Sequence, residues 1–255
     1  MTTIKLYGYA TSPYVRKSAC FLYYKGLEFT HVPVNPVDPM ATLGHINSAQ
    51  VPVLEIDGVY KHESSSHAHW LDELFPEKPL CPIEHKAVIG QIDDWVSDKF
   101  LTSIFRSAID GENSLQFKFR GWRLAALISA HTPLPEKVRH AWPDLLRQAP
   151  FIQSMSKHFD LTESYGDMQR RIAGELVEHL GDGPYLGGLQ QPSMLDLAIF
   201  PQLIWGVMFG LEDQLSAAKH PVLKLWLQRM ATHLPDNPTL VADEMQVMSL
   251  SDALK

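Results

Sequence analysis

Ser12-Pro13-Tyr14-Val15-Arg16-Lys17 follows closely on the apolar run Ile4-Lys5-Leu6-Tyr7 and reads as strand, tight turn and helix start. Serine is favoured just outside a helix and proline at its first position, so one reading of Ser12-Pro13 is a plain cap. The other is chemical. A helix N-terminus presents unpaired N–H groups and the positive end of its dipole, which suits an anion. With a hydroxyl placed there, the anion best served is a thiolate.

Working outward, the helix runs over Ser12–Lys25 and ends at Gly26, the residue type that closes helices in the left-handed region. Glu28–Val34 reads as a second strand, Pro36 and Pro39 force a loop, and a short helix covers Met40–His45. Val53-Leu54-Glu55-Ile56, Asp57-Gly58 and Val59-Tyr60 form a hairpin signal, because Asp-Gly tolerates the positive φ angles of a type I′ turn. Ser64–Phe75 is a helix stopped by Pro76. A β-α-β unit supplies a parallel strand pair and the hairpin an antiparallel one, giving a small mixed sheet with helices packed on it. Pro76, Pro79 and Pro82 make a stiff connector, after which helical spacing dominates: Val88, Ile92, Trp95 and Val96, then Ile172, Leu176 and Leu180, then Leu195–Phe209 and Val222–Leu234. The expectation is an α/β domain over 1–80 and an all-α domain over 84–255. Pro133, Pro135, Pro143 and Pro150 are expected to break 112–156 into short pieces.

The chain has 255 residues, 45% hydrophobic and 20% charged, with a net charge of -7. That is enough chain for two domains, and the acidic balance argues against nucleic acid as a partner. No apolar stretch reaches membrane-spanning length and no secretory signal is visible, so a cytoplasmic setting is expected. Cys20 and Cys81 form neither a disulfide framework nor a metal site, and Cys20 reads as a buried thiol on an apolar stripe with Ala19 and Tyr23. His62 and His67 stand five apart, separated by roughly 140° on a helix, so no metal is expected there. His67 reads as a buried, hydrogen-bonded neutral histidine. No nucleophile elbow, phosphate-binding loop or dinucleotide fingerprint is present. Trp95, Trp205 and Trp226 read as core, and Phe105, Phe117, Phe119 and Trp122 as a possible border of an apolar substrate pocket.

Four segments in order resemble the soluble glutathione transferase family: Ser12-Pro13-Tyr14; Gln50-Val51-Pro52-Val53-Leu54; Glu63-Ser64 opening the helix through Trp70-Leu71 to Phe75-Pro76; and Tyr185-Leu186-Gly187 followed by Ser193-Met194-Leu195-Asp196. Pro221-Val222-Leu223-Lys224-Leu225-Trp226 with Arg229-Met230 is a weaker fifth. The likeness leaves out about 110–160. It implies a thioredoxin-like N-terminal domain that binds glutathione, an all-helical C-terminal domain, an apolar electrophile between them, and a homodimer. Ser12 would hold the glutathione thiolate, with Tyr9 as the rival donor. Pro52 would be cis, turning the backbone of Val51 toward the cysteinyl part of the ligand. Glu63 and Ser64 would hold the γ-glutamyl end, although Ser64 as N-cap with Glu63 at the dipole end explains the same pair without a ligand. Gln50 and His45 are candidates for the glycyl carboxylate. Ser193 and Asp196 form a capping box and are assigned to folding. The resulting expectation is an enzyme joining the glutathione thiol to an apolar electrophile. A glutathione-dependent thiol-disulfide reductase and a non-enzymatic binding module on the same fold are the alternatives.

Overall fold

The structure is a computed structural model that describes residues 2–106, 115–212 and 216–255. Strands β1 (Ile4–Gly8), β2 (Thr30–Pro33), β3 (Val53–Ile56) and β4 (Val59–Lys61) form one sheet in the order β2-β1-β3-β4. β1 is parallel to β2 and antiparallel to β3, and β3 is antiparallel to β4. Alternation along the strands sorts the side chains. Ile4, Leu6, Leu54 and Ile56 share a core with Val15, Ala19 and Leu22 of α1 (Pro13–Lys25) and with Ala68 and Leu71 of α3 (Ser64–Leu74). Tyr7 and Val53 face the other way, onto Val34 and Leu43 of α2 (Met40–Leu43). The hairpin turn has φ of 48° at Asp57 and 83° at Gly58, as the Asp-Gly pair demands. The second strand is shorter than its sequence suggests. The helix at Met40 ends at Leu43 and continues as a 3-10 turn over Gly44–Ile46.

The proline-rich connector is pinned rather than loose. Lys25 Nζ, at the end of α1, donates to the carbonyls of Phe75 (2.7 Å) and Glu77 (3.0 Å) and pairs with Asp72 (2.7 Å). The Asp72 carboxylate accepts the N–H groups of Leu80 (2.9 Å) and Cys81 (2.8 Å).

Beyond it the named elements are helical: α4 (Lys86–Trp95), a π-helical turn (Val96–Phe100), α5 (Leu101–Ile104), α6 (Leu115–Ser129), α7 (Glu136–Gln148), α8 (Pro150–Met155), α9 (Tyr165–Leu180), α10 (Met194–Met208), α11 (Pro221–Ala231) and α12 (Leu250–Ala253). α10 is apolar on nearly every face and is buried along most of its length, so it forms the centre of the molecule. The Ser193–Asp196 capping box starts it. No helix among the described residues is long and apolar enough to cross a membrane.

One sequence expectation fails here. Pro143 does not break its segment but lies inside α7, against α6. Proline inside a helix removes an N–H and crowds the preceding turn. The packing partner explains its place: a Cβ at Gly121 of α6 would lie 2.7 Å from Pro143 Cγ, so only glycine lets the ring seat there.

His67 is fully buried in α3, as expected. Its Nε2 lies 3.0 Å from the Lys61 carbonyl and its Nδ1 2.9 Å from Ser18 Oγ. The Nε2–H therefore donates to the carbonyl, while the Ser18 hydroxyl beside Nδ1 also reaches the Tyr14 carbonyl at 3.3 Å, so it is burial that disfavours the charged ring. Burial holds its pKa down to about 4, against an ordinary 6.5. A depressed folded-state pKa means the unfolded chain binds the proton first, so stability is lost as pH falls from about 6.5 toward 4. In paired unfolding curves, the advantage of wild type over His67→Met is expected to shrink by roughly 3 kcal/mol between pH 7 and pH 4. A constant difference would mean that the ring is not held neutral.

Candidate active site

Strand register brings the candidate residues to one end of the sheet. Tyr7 pairs with Val53 across β1 and β3, so the turn after β1 and the approach to β3 lie at the same end of the sheet. Leu54 pairs with Lys61 across β3 and β4, so the link from β4 into α3 leaves from that end too. The β1–α1 turn, the approach to β3 and the start of α3 therefore meet at the same edge.

Ser12 is buried at the N-terminus of α1. Its Oγ accepts the Val15 N–H at 3.4 Å, a long contact, which leaves the hydroxyl proton to donate elsewhere. Its N–H donates to the Tyr9 carbonyl at 2.9 Å, closing the turn. Pro13 has no N–H, and the Arg16 N–H returns to the Ser12 carbonyl at 3.1 Å. The Tyr14 N–H is thus the open donor of the first turn among the described residues.

The Val51–Pro52 peptide is cis. Pro52 is buried, Val51 half-buried and Gln50 exposed. At α3, Ser64 does not cap the helix but is its first residue. Glu63 takes the cap position with φ of 65° and ψ of 107°, and no side chain caps the helix N-terminus. The short link from β4 must reverse through His62-Glu63 into α3, and the left-handed backbone at Glu63 makes that reversal. The first N–H groups of α3 are consequently left for an incoming anion. Tyr14 lies near this corner: burial first, then the Glu63 and Asp98 carboxylates, push its phenol pKa up.

Two other residues stand apart. His45 is exposed. Its Nδ1 donates to the Thr42 carbonyl at 3.0 Å, and its ring leans on Tyr60 and Tyr7 on the α2 face of the sheet. Tyr7 donates to Glu55 Oε2 at 2.5 Å, and Glu55 also pairs with Lys5 at 3.0 Å. Burial and Glu55 hold the Tyr7 phenol protonated, so Tyr7 is committed away from the turn. Tyr9 is half-buried, with its phenol pKa raised by burial.

Of the four aromatics expected to border one pocket, Phe105 and Phe117 come together, while Phe119 and Trp122 lie exposed. Phe117 is buried with Ile152, and Phe105, Leu146 and Ala149 pack against that pair. Phe119 and Trp122 are 60% and 47% exposed.

Arg16 was not singled out by sequence, yet it is the most unusual group near Ser12. It is 1% exposed. Its Nε and Nη2 donate to Gln202 Oε1 at 3.0 and 2.6 Å, its Nη1 to the Ala10 carbonyl at 3.1 Å, and its guanidinium lies 4.1 Å from the Trp205 ring centroid. Burial brings its pKa down to about 9, which leaves it charged at neutral pH. The signal was present: Arg16, Ala19, Cys20 and Tyr23 share one helical stripe, and a cation on an otherwise apolar stripe calls for a reason. Lys17, next to it, is equally buried but paired, with Ser65 Oγ at 2.7 Å and Asp93 at 3.1 Å.

Residues 6–79 match the family model described as the glutathione S-transferase N-terminal domain. The chain is similar to Protein LigF of Sphingobium sp., with 26% identity over 250 residues and 89% of each chain covered. Among solved structures it resembles the beta-etherase LigF of Sphingobium sp. strain SYK-6 (24% identity, TM-score 0.60, covering 89% of this chain and 94% of that one). It also resembles a glutathione S-transferase of Rhodospirillum rubrum F11 (17%, TM-score 0.62, 90% and 88%) and human glutathione transferase theta-2 (19%, TM-score 0.57, 92% and 84%). These likenesses place the thioredoxin-like sheet and the helical region in a common fold.

Proposed function

Since the chain belongs to the glutathione S-transferase family, we propose that it is an enzyme in which glutathione, bound as thiolate at Ser12, attacks an ether carbon of an apolar aromatic substrate. The similarity to LigF carries the choice of electrophile, because it extends over 89% of both chains and so includes the helical region. The sulfur forms a bond to carbon, the carbon–oxygen bond breaks, and the departing aryloxide takes up a proton. The co-substrate is glutathione. The Ser12 hydroxyl donates to its thiolate, with the open Tyr14 N–H and the α1 dipole on the same side. The backbone of Val51, beside Pro52, pairs with the cysteinyl peptide groups, and the uncapped start of α3 at Glu63-Ser64 takes the γ-glutamyl carboxylate. Gln50, exposed next to Val51, and His45, exposed with its ring against Tyr7 and Tyr60, are the two candidates for the glycyl end. The reductase alternative is weakened because Ser12 cannot form a mixed disulfide, which leaves glutathione itself to supply both sulfurs.

The test is product analysis. Incubation with glutathione and a β-aryl ether is expected to release one phenol for each glutathione thioether formed. Phenol without thioether, or consumption of glutathione only to its disulfide, would overturn the proposal. The binding roles have their own check. Glu63→Ala and Ser64→Ala are expected to weaken glutathione binding by about 1.5–3 kcal/mol in calorimetry, as for hydrogen bonds to a charged group. Because no side chain caps α3, neither change should cost the ~1 kcal/mol of stability that a lost cap would. Unchanged affinity with a lowered melting temperature would return the pair to a purely structural role.

A further inference from the structure

Resting on that reading of the site, we propose that Arg16 is a positioning residue for the thiolate: its buried guanidinium, held without a counter-ion beneath the Tyr9–Ser12 turn, adds a full positive charge to the N-terminus of α1 and favours the thiolate over the thiol.

Three observations carry this. First, every hydrogen-bond acceptor recorded for Arg16 is neutral: the Ala10 carbonyl and the Gln202 amide oxygen. Among the described residues no carboxylate pairs with it. α1 carries no Asp or Glu, and Asp93, which approaches from α4, is taken by Lys17. The titratable group facing Arg16 is Cys20 on its own helix, and burial pushes its pKa up, so it is neutral. A buried cation without a partner is costly, and a fold seeking only stability is better served by an apolar side chain or an ion pair. An anion that arrives with the ligand supplies the missing charge.

Second, the guanidinium is fixed to the turn that presents Ser12. α10 runs antiparallel to α1. Its first residue, Met194, donates to the Leu80 carbonyl (2.8 Å) near the end of α1, while Gln202 Nε2 donates to the Pro13 carbonyl (2.9 Å) at the start. Gln202 thus grips both Arg16 and the first residue of the helix that Ser12 caps. Ala10, two residues before Ser12, holds the remaining nitrogen.

Third, a second donor beside the guanidinium is unsatisfied. The indole of Trp205 lies against Arg16, and its Nε1–H is buried without an acceptor. Buried polar groups in folded proteins are normally paired. Two positive elements therefore stand uncompensated at the same corner, next to the open helix end.

The experiment is an ultraviolet titration of bound glutathione in the whole protein, comparing wild type with Arg16→Gln, Gln202→Glu and Arg16→Lys. Gln202→Glu keeps an acceptor for the Arg16 fork and neutralises its field. In that variant and in Arg16→Gln, the bound thiol is expected to titrate about one unit higher, with roughly tenfold less thiolate at neutral pH. Arg16→Lys keeps the charge but loses the fork, and is expected to stay near the wild-type curve. A purely structural role predicts instead that Arg16→Lys, which loses the fork, shifts the curve as far as Arg16→Gln does. If Arg16→Gln does not fold, Gln202→Glu decides alone. Glutathione bound with the wild-type titration curve in Gln202→Glu overturns the role of Arg16 only. A wild-type protein that binds no glutathione overturns the reading of the site itself, and this inference with it.

Discussion

Ser12→Ala is expected to lower turnover at neutral pH roughly ten- to hundredfold, the range that corresponds to losing a hydrogen bond of about 1.5–3 kcal/mol to a charged group. Glutathione affinity should change far less, because most of the tripeptide is held at Val51 and at the start of α3. The pH dependence identifies the cause. A donor to the thiolate lowers the thiol's pKa, so its loss matters most where the wild-type site is already ionised and the variant is not. The defect should shrink as pH rises toward about 8.5, the ordinary thiol pKa, where the thiolate forms without help. A separate cost is expected in stability. Ser12 Oγ accepts the Val15 N–H only at 3.4 Å, so the lost cap should remove no more than about 1 kcal/mol. A turnover defect that is constant with pH, or that tracks loss of folded protein, would assign Ser12 to the cap alone.

The largest expected loss of stability is at Asp196. Its carboxylate is fully buried and accepts four hydrogen bonds: from the N–H groups of Leu186 (3.0 Å) and Ser193 (3.0 Å), from Ser193 Oγ (3.2 Å) and from Trp226 Nε1 (2.8 Å). It ties the capping box of α10 to the loop at Leu186 and to α11. Asp196→Ala would leave several buried donors without an acceptor, each worth about 1–3 kcal/mol. Even with part of this recovered by relaxation, a loss of at least about 3 kcal/mol is a large share of the roughly 5–15 kcal/mol that holds a typical domain. Asp196 also has a pH signature. Burial, opposed by these donors, raises its pKa to about 6. A raised folded-state pKa favours the protonated form. The associated stability is therefore present below about pH 4, where the unfolded carboxyl titrates, and is lost as pH rises through 6. Denaturant melts of wild type and Asp196→Asn at pH 4 and pH 7 should diverge in that direction. A loss below 1 kcal/mol for Asp196→Ala would mean that water replaces the carboxylate.

Much of this architecture is legible in local chemistry. Asp57-Gly58 demands its hairpin, Gly26 ends α1 in the left-handed region, and Ser193-x-x-Asp196 marks the start of α10. The elements that frame the candidate site are legible at helix ends and turns, as where Ser12 caps α1. It is not legible where tertiary contact overrides a local rule. Ser64 has the composition of a cap, but the reversal out of β4 moves the cap position to Glu63. Pro143 reads as a helix breaker, but Gly121 opposite it makes room for the ring inside α7. The aromatic border was inferred from position in the chain alone, and packing joins only Phe105 and Phe117 of its four members. Arg16 and Gln202 are 186 residues apart, and no local pattern joins them.

The claim that this site generates a thiolate is tested most directly by ultraviolet titration of glutathione bound to the wild-type protein, with Ser12→Ala and Tyr9→Phe in parallel. The account predicts that the bound thiol ionises at least one unit below free glutathione, that Ser12→Ala moves it back toward the free value, and that Tyr9→Phe leaves it in place. A wild-type curve that coincides with free glutathione, or a shift in Tyr9→Phe with none in Ser12→Ala, would contradict it.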